Sequence, residues 1–368
     1  MALTRASAAV VKTEELVNNR NLLHNGAMQV NQRANTNLTG ITSGTNRTVD
    51  RWAFLISNAG TWTMNVESSA PSGTEFRNSA NLICTTADTS LSTSDYALLN
   101  QSHEGLNLQT IKKGTVNAQP VTISFWTKSS NTGTYIVELR DNDNNRMISK
   151  SYTINTAHTW EKQVITFPPD TIGQFSNSNQ SSFPIFWWLA AGPTYTANTL
   201  STVWGSNSDN STRAAGQVNL ANRVGNYLAF TGAQLEVGST ETPYEWRDYQ
   251  QELAMCQRYY WKVINGSGQH MPGTAYYYNT TEINMAIQFP VPMRATPTLE
   301  QVTGTDFYYF TGVQDLFDGW TAIQLTSPQP NPTQTNLYVL SGVSGTSGRP
   351  GGIRTNNASC SVAFNAEL

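Results

Sequence analysis

An all-β fold in two successive sandwiches is what this sequence predicts, on three observations. Short runs rich in Val, Ile, Thr, Phe, Tyr and Trp recur along the chain, separated by Gly, Asn, Ser and Asp. Charged residues make up only 13% and hydrophobic residues 38%, yet ten Trp, fifteen Tyr and thirteen Phe supply large side chains to bury. Finally, the stretch Gly225 to Tyr260 changes period. Tyr227, Ala229 and Thr231 alternate with Leu228, Phe230 and Gly232 as in a strand, whereas Leu253, Cys256 and Tyr260 fall at helical spacing. Pro243 punctuates between them.

Taken in order, residues 1–20 stand apart. Leu3, Ala6, Val10 and Val17 lie on a weak heptad, and Thr13 followed by Glu14 and Glu15 reads as a helix start. This predicts an anchoring arm that docks on a partner or trimerises.

From Asn21 onward the runs NLLHNGAMQV, VDRWAFLI, TWTMNVES, ANLICTTA, VTISFWTKSS, GTYIVELR, RMISKSYTI, EKQVITF, FPIFWWLAA and GNYLAFTGAQLEV read as strands. About ten strands with no helices between them predict an antiparallel sandwich over 21–246. GTYIVELR and RMISKSYTI form a hairpin around DNDNN, where Asp141 and Asp143 can bond their own backbone.

Residues 247–260 read as a helical hinge with Tyr259 and Tyr260 buried, and 261–368 as a smaller β-sandwich tip. In the tip, Pro290 and Pro292 point to an edge or bulge, and 341–357 reads as a Gly/Ser loop.

Bulk properties exclude several classes. A net charge of −3 leaves no basic footprint for nucleic acid. Cys84, Cys256 and Cys360 are too far apart for a CxxC site and odd in number, so they read as buried free thiols. No apolar run approaches the roughly 20 residues of a membrane span, and the N-terminal apolar patch is too short for a signal peptide. Surface-type composition without an export signal suits a phage structural protein released by lysis.

Specific stretches carry a resemblance. NLLHNGAMQVNQR at 21–33, VDRWAF at 49–54, residues 104–146, GAQLEVGSTETPYEWRDYQQELAMCQRYY at 232–260 and FPVPMRATPTL at 289–299 resemble bacteriophage virion proteins. These are tail fibres or structural proteins with carbohydrate-binding domains, common in short-tailed phages of marine bacteria. The likeness covers most of 20–300.

The first block also resembles the jelly-roll of carbohydrate-binding modules, in which an NLLxNG strand lies beside a closing strand like GAQLEV. Those modules often hold a structural calcium with acidic residues. Here Gln29 and Gln234 stand at the corresponding positions, so no metal and no cofactor is expected. The resemblance implies a homotrimer on the virion tail, residues 1–20 contacting other tail proteins, and attachment to a host-surface glycan without membrane insertion.

Candidate chemistry is sparse. No HExxH, GxSxG or phosphate-loop pattern occurs, and Asp141, Asp143, Asp306, Asp315 and Asp318 fall in turns and loops where carboxylates usually cap backbone. No repeat of a depolymerase β-helix is visible. A non-enzymatic role follows, with a purely structural adaptor as the alternative and a depolymerase as the weaker one.

Sugar binding calls for exposed rings beside amides and hydroxyls. In FWWLAA one of two adjacent Trp must point away from the core, and an Asn/Ser/Thr-rich loop follows. This nominates Trp187, Trp188, Tyr195 and Trp204 as a glycan platform. In the tip, Tyr277, Tyr308 and Trp320 are the nominated surface aromatics.

Overall fold

The computed structural model describes residues 20–34, 37–312, 318–325, 331–340 and 342–368. Residues 1–19 of the expected arm and Asp315 lie outside the described residues. The chain divides into two compact units between Asp248 and Tyr249, so the helix expected as a separate hinge groups with the second.

The first unit contains β1 (Asn37–Asn46), β2 (Ala53–Glu67), β3 (Ser79–Thr86), β4 (Tyr96–Gln101), β5 (Val121–Ser129), β6 (Gly133–Asp141), β7 (Arg146–Ile154), β8 (Glu161–Phe167), β9 (Ile185–Ala191), the one-turn helix α1 (Pro193–Thr196), β10 (Gly205–Ser206) and β11 (Tyr227–Val237). Their order is β10-β7-β6-β9-β4-β2-β3-β11-β5-β8, with β1 on β2, and every pairing is antiparallel.

The long β2 turns the sheet back on itself. Its first half pairs with β4 and its second with β3, and the corner falls where Asn58 and Gly60 take φ of 51° and 77°. A Cβ at Gly60 would lie 2.5 Å from the Thr86 carbonyl oxygen, so glycine fits both the angle and the contact. The result is a jelly-roll sandwich with a front leaf (β10-β7-β6-β9-β4-β2) and a back leaf (β2-β3-β11-β5-β8). Rings distant in the ladder meet in its core: Trp187 of β9 lies 5.0 Å from Phe230 of β11 and 5.9 Å from Phe125 of β5. Burying side chains of this size contributes about 1.5–3 kcal/mol each.

The predicted opening strand is instead a series of bends. NLLHNG nevertheless lies beside the closing strand: Leu22 N–H donates to Leu235 O at 2.8 Å, and the Asn21 amide oxygen accepts from Leu23 and Leu235 N–H. The segment after β11 completes a clasp. The Glu245 carboxylate accepts from the N–H groups of Arg20 and Asn21, and Arg247 donates to the carbonyls of Asn21 and Leu23.

The second unit opens with α2 (Tyr249–Gln257), followed by β12 (Tyr260–Asn265), β13 (Ala275–Asn279), β14 (Glu282–Gln288), β15 (Thr298–Val302), β16 (Tyr308–Gly312), β17 (Asp318–Trp320), β18 (Gln324–Leu325), β19 (Gln334–Val339), β20 (Pro350–Thr355) and β21 (Ser361–Asn365). A three-stranded sheet β12-β21-β15 and a seven-stranded sheet β17-β16-β20-β13-β14-β19-β18 share a core that includes Ile264, Tyr277, Phe310, Trp320, Val362 and Phe364. Tyr259 and Tyr260 are buried, and Tyr260 begins β12. The expected loop over 341–357 contains β20, which lies between β16 and β13 and which Pro350 can open because the first residue of a strand need not donate to the ladder. All three cysteines are buried and unbridged. Among the described residues no helix is long and apolar enough to cross a membrane.

Candidate functional site

The pleat argument for FWWLAA holds in direction. Trp187 points inward and is fully buried, while Trp188 points to the opposite face of the front leaf. That face is not open, however, and here the expected platform needs correction. The segment 192–218 runs over it as a strap, and Trp188 is only 1% exposed.

Arg213 pins the strap down. Its Nε donates to both oxygens of Glu138 at 2.9 and 3.1 Å, its guanidinium lies 5.1 Å from the Trp188 ring and 5.6 Å from Tyr195, and Trp188 Nε1 donates to Glu138 Oε2 at 3.1 Å. Ser149 Oγ holds the Arg213 carbonyl, and the Gln217 amide oxygen accepts from Ile136 N–H. Tyr195 is therefore a half-buried partner of Trp188 and Tyr96, at 5.2 and 5.8 Å, and burial raises its phenol pKa.

Trp204 also serves the interior. Its N–H donates to Pro168 O at 2.8 Å, and its ring covers the Lys113 ammonium at 5.5 Å. Lys113 is buried among Asp141 Oδ2 (2.5 Å), Asp170 Oδ2 (3.0 Å) and the carbonyls of Ile172 and Gly173. Arg146 adds two further bonds to Asp170. This knot ties the β6–β7 hairpin to the loops 105–119 and 168–176. Beside it opens a cleft of about 320 Å³ lined by Gln109, Lys112, Thr115, Asn117, Gln174 and Phe175. The cleft offers amides, but its one ring, Phe175, is buried, so it has no face on which a sugar could stack.

The nominated tip aromatics are also interior. Tyr277, Tyr308 and Trp320 are at most 3% exposed. The register of β13 places Tyr277 inward and leaves Tyr276 and Tyr278, 42% and 60% exposed, on the outer face.

The open aromatic surface lies instead on the outer face of the back leaf. Along β5, Ile123 and Phe125 face the core, so Thr122, Ser124, Trp126 and Lys128 face out. Trp126 pairs across with Lys162 of β8, and Lys128 Nζ lies 5.1 Å over the ring of Trp160, just before β8, and 5.9 Å over Tyr227 of β11. Indole and ammonium groups thus alternate in a checkerboard.

At the β11 bulge, Gly232 (φ 62°) sits between Phe76 and Trp126, either of which a Cβ would press to 3.0 Å or less. Phe76 continues the track to Tyr244 and Trp246, with ring separations of 5.0–5.4 Å. Trp126 and Trp160 are half-buried, and among the described residues neither indole N–H has a partner in the chain. Trp246, 39% exposed, donates to Glu75 at 2.9 Å, which lowers that carboxyl's pKa. Half-exposed ring faces with free indole donors can stack on pyranose rings and bond their hydroxyls.

Sequence reasoning missed these residues, although a signal was available. Trp126 shares its phase with Thr122, Ser124 and Lys128, whereas the outward phase of FWWLAA is Phe186 and Trp188.

The residues do not fit a structural calcium of the carbohydrate-module type. Gln234 spends its amide nitrogen on Glu236 and its oxygen on Glu245 N–H, and the Glu236 carboxylate is itself held by Gln234 and Thr242, so neither is left to offer a hard cation. Among the described residues no group of three or more His, Cys, Asp or Glu could hold a metal.

No known protein family matches the sequence, and no curated protein matches it. Several solved structures are similar to it. The tailspike protein 4 enzymatically active domain of bacteriophage CBA120 is 13% identical, covering 59% of this chain and 21% of that one, with a TM-score of 0.33. The chain thus spans about a fifth of that tailspike's length. TmCBM61, solved with β-1,4-galactotriose, is 13% identical over 59% of this chain and 99% of its own, with a TM-score of 0.28. A family 11 carbohydrate-binding module of a Clostridium thermocellum cellulosomal cellulase is 11% identical over 56% of this chain and 100% of its own, with a TM-score of 0.27.

Proposed function

We propose that this chain is a non-enzymatic glycan-binding protein of a phage tail fibre, attaching to a host-surface glycan through the outer face of the back leaf. The observation that carries the reading is the open checkerboard of Trp126, Lys128, Trp160 and Lys162, with two indole N–H groups free to donate to a ligand. The main buried carboxylates of the first unit are occupied elsewhere: Glu138 by Arg213, Asp141 and Asp170 by Lys113, and Asp50 by Arg33. Their engagement supports binding over hydrolysis, which needs two carboxylates free across a cleft.

The virion assignment rests on the sequence resemblance at 21–33 and 232–260. In that setting a homotrimer, anchored to other tail proteins through residues 1–20, would repeat weak sites around the particle and gain avidity without new contacts.

The test is retention of the full chain on a glycan array and in native gels cast with polysaccharides, beside a Trp126→Ala/Trp160→Ala variant. The wild type should be retained by at least one glycan and the variant should lose that retention. A wild type retained by none, or a variant retained equally well, would overturn the reading and leave the structural adaptor.

A further inference from the structure

The outer face of the seven-stranded sheet in the second unit carries a row of side chains fixed by strand register. Tyr276 of β13 pairs with Asn284 of β14, Asn284 with Tyr338 of β19, and Tyr338 with Gln324 of β18. Their neighbours Tyr277, Ile283, Met285, Leu337 and Val339 are all buried, so the row points outward by alternation. Tyr276 is exposed and Asn284 and Tyr338 are half-exposed. Two strand spacings separate the rings, roughly 10 Å, which lets each take its own sugar with the Asn284 amide between them.

From this we infer a second glycan-binding site, on this row, for an uncharged polysaccharide. Among the described outward positions of β13, β14 and β19, Glu282 alone is charged, and it accepts hydrogen bonds from Asn279 and Asn284. The remaining positions are Tyr, Asn, Gln and Ala. These three strands carry no Lys or Arg to attract an acidic chain, in contrast to the lysines of the back leaf, and Arg354 on the same face of β20 lies against the Tyr309 ring. Among the described residues the phenol hydroxyls of Tyr276, Tyr278 and Tyr338 have no partner within the chain, so they remain to bond sugar hydroxyls. A second copy of the chain is the poorer occupant. No Leu, Ile or Val faces outward on these three strands, whereas homodimer seams are more apolar than ordinary surface.

The inference extends the glycan-binding reading to the second unit, and the test separates the two. Native gels cast with dextran, galactan, glucomannan or acidic alginate would be run with the full-length wild type, Trp126→Ala/Trp160→Ala, and that variant further carrying Tyr276→Ala/Tyr338→Ala. Thermal unfolding and near-ultraviolet circular dichroism would confirm that each folds.

The expected result is that Trp126→Ala/Trp160→Ala is still slowed by at least one neutral polymer, and that removing the two tyrosines weakens this remaining affinity about tenfold. If the wild type is slowed but Trp126→Ala/Trp160→Ala is slowed by no neutral polymer, the second site falls and the first stands. Residual slowing unaffected by the tyrosine substitutions also overturns it. So does a drop in light-scattering mass on adding them, which would make this face a contact between copies. A wild type slowed by nothing overturns both proposals.

Discussion

The two leaves of the first unit both carry tryptophan on their outer faces, but they are finished differently. On the front leaf the outward phase is apolar, Ile136, Phe186 and Trp188, and a strap covers it, sealed by the Arg213–Glu138 pair. On the back leaf the outward phase is polar apart from its rings: Thr122 and Ser124 are buried, Thr122 against the Gly238 carbonyl, while Trp126 and Lys128 stay half-exposed with no apolar strap over them. A strand apolar in both phases requires material on both sides, whereas a strand with one polar phase can show an aromatic to solvent at little cost. Which tryptophan is available to a ligand is therefore decided by the company it keeps on its own face.

Breaking the seal should have the largest effect. Arg213→Ala leaves Glu138 buried and unpaired, which should lower stability by about 3–5 kcal/mol, read as a shift of the urea midpoint. Arg213→Met with Glu138→Gln should recover much of that loss. Trp188→Ala should cost a similar 3–5 kcal/mol through the cavity it leaves. If Trp188→Ala proved nearly neutral, the strap would not be the lid described.

Acid should act on the front leaf next. His103, two residues past β4, is buried with Nδ1 2.9 Å from Phe183 O, and burial pushes its pKa down to about 4 from the usual 6.5. Between these values the unfolded chain binds the proton and the folded one does not. Stability should therefore be complete above about pH 6.5 and fall as pH drops toward 4, by up to about 1.4 kcal/mol per unit. His103→Gln should flatten this slope in urea titrations, and an unchanged slope would assign it to other groups.

The smallest stability effect is expected on the back leaf. Trp126→Ala and Trp160→Ala should each change folding by only about 1 kcal/mol or less, since both are half-exposed, while removing retention by the glycan that the back leaf binds. A large loss of stability there would make these rings structural and erase the contrast between the leaves.

Much of the architecture was legible. Ile123, Phe125 and the paired runs of β6 and β7 announce themselves by alternation, and the change of period near Asp248 marks where the second unit begins. What was not legible depended on partners distant in sequence. The strap over Trp188 is an Asn/Ser/Thr-rich stretch held down by Arg213, and a lone Arg in such a stretch reads as solvated. β1 and β4 were missed because NLTGITSGTN is interrupted by two glycines and YALLNQ has no β-branched residue. In Tyr276, Tyr277 and Tyr278 the two phases have the same chemistry, so a shift of one residue exchanges core for surface. Only the pairing with Ile283 and Met285 in β14 decides it.

The clasp between Asn21, Glu245 and Arg247 brings residue 20 and residue 247 of the first unit side by side. Tension applied at these two points is borne first by the hydrogen bonds to the Glu245 carboxylate and the Arg247 guanidinium, and next by those of Asn21 and Leu22 to Leu235 of β11. The rest of the sandwich then hangs as a closed loop beside the line of force, and its outer faces keep their shape while these contacts hold.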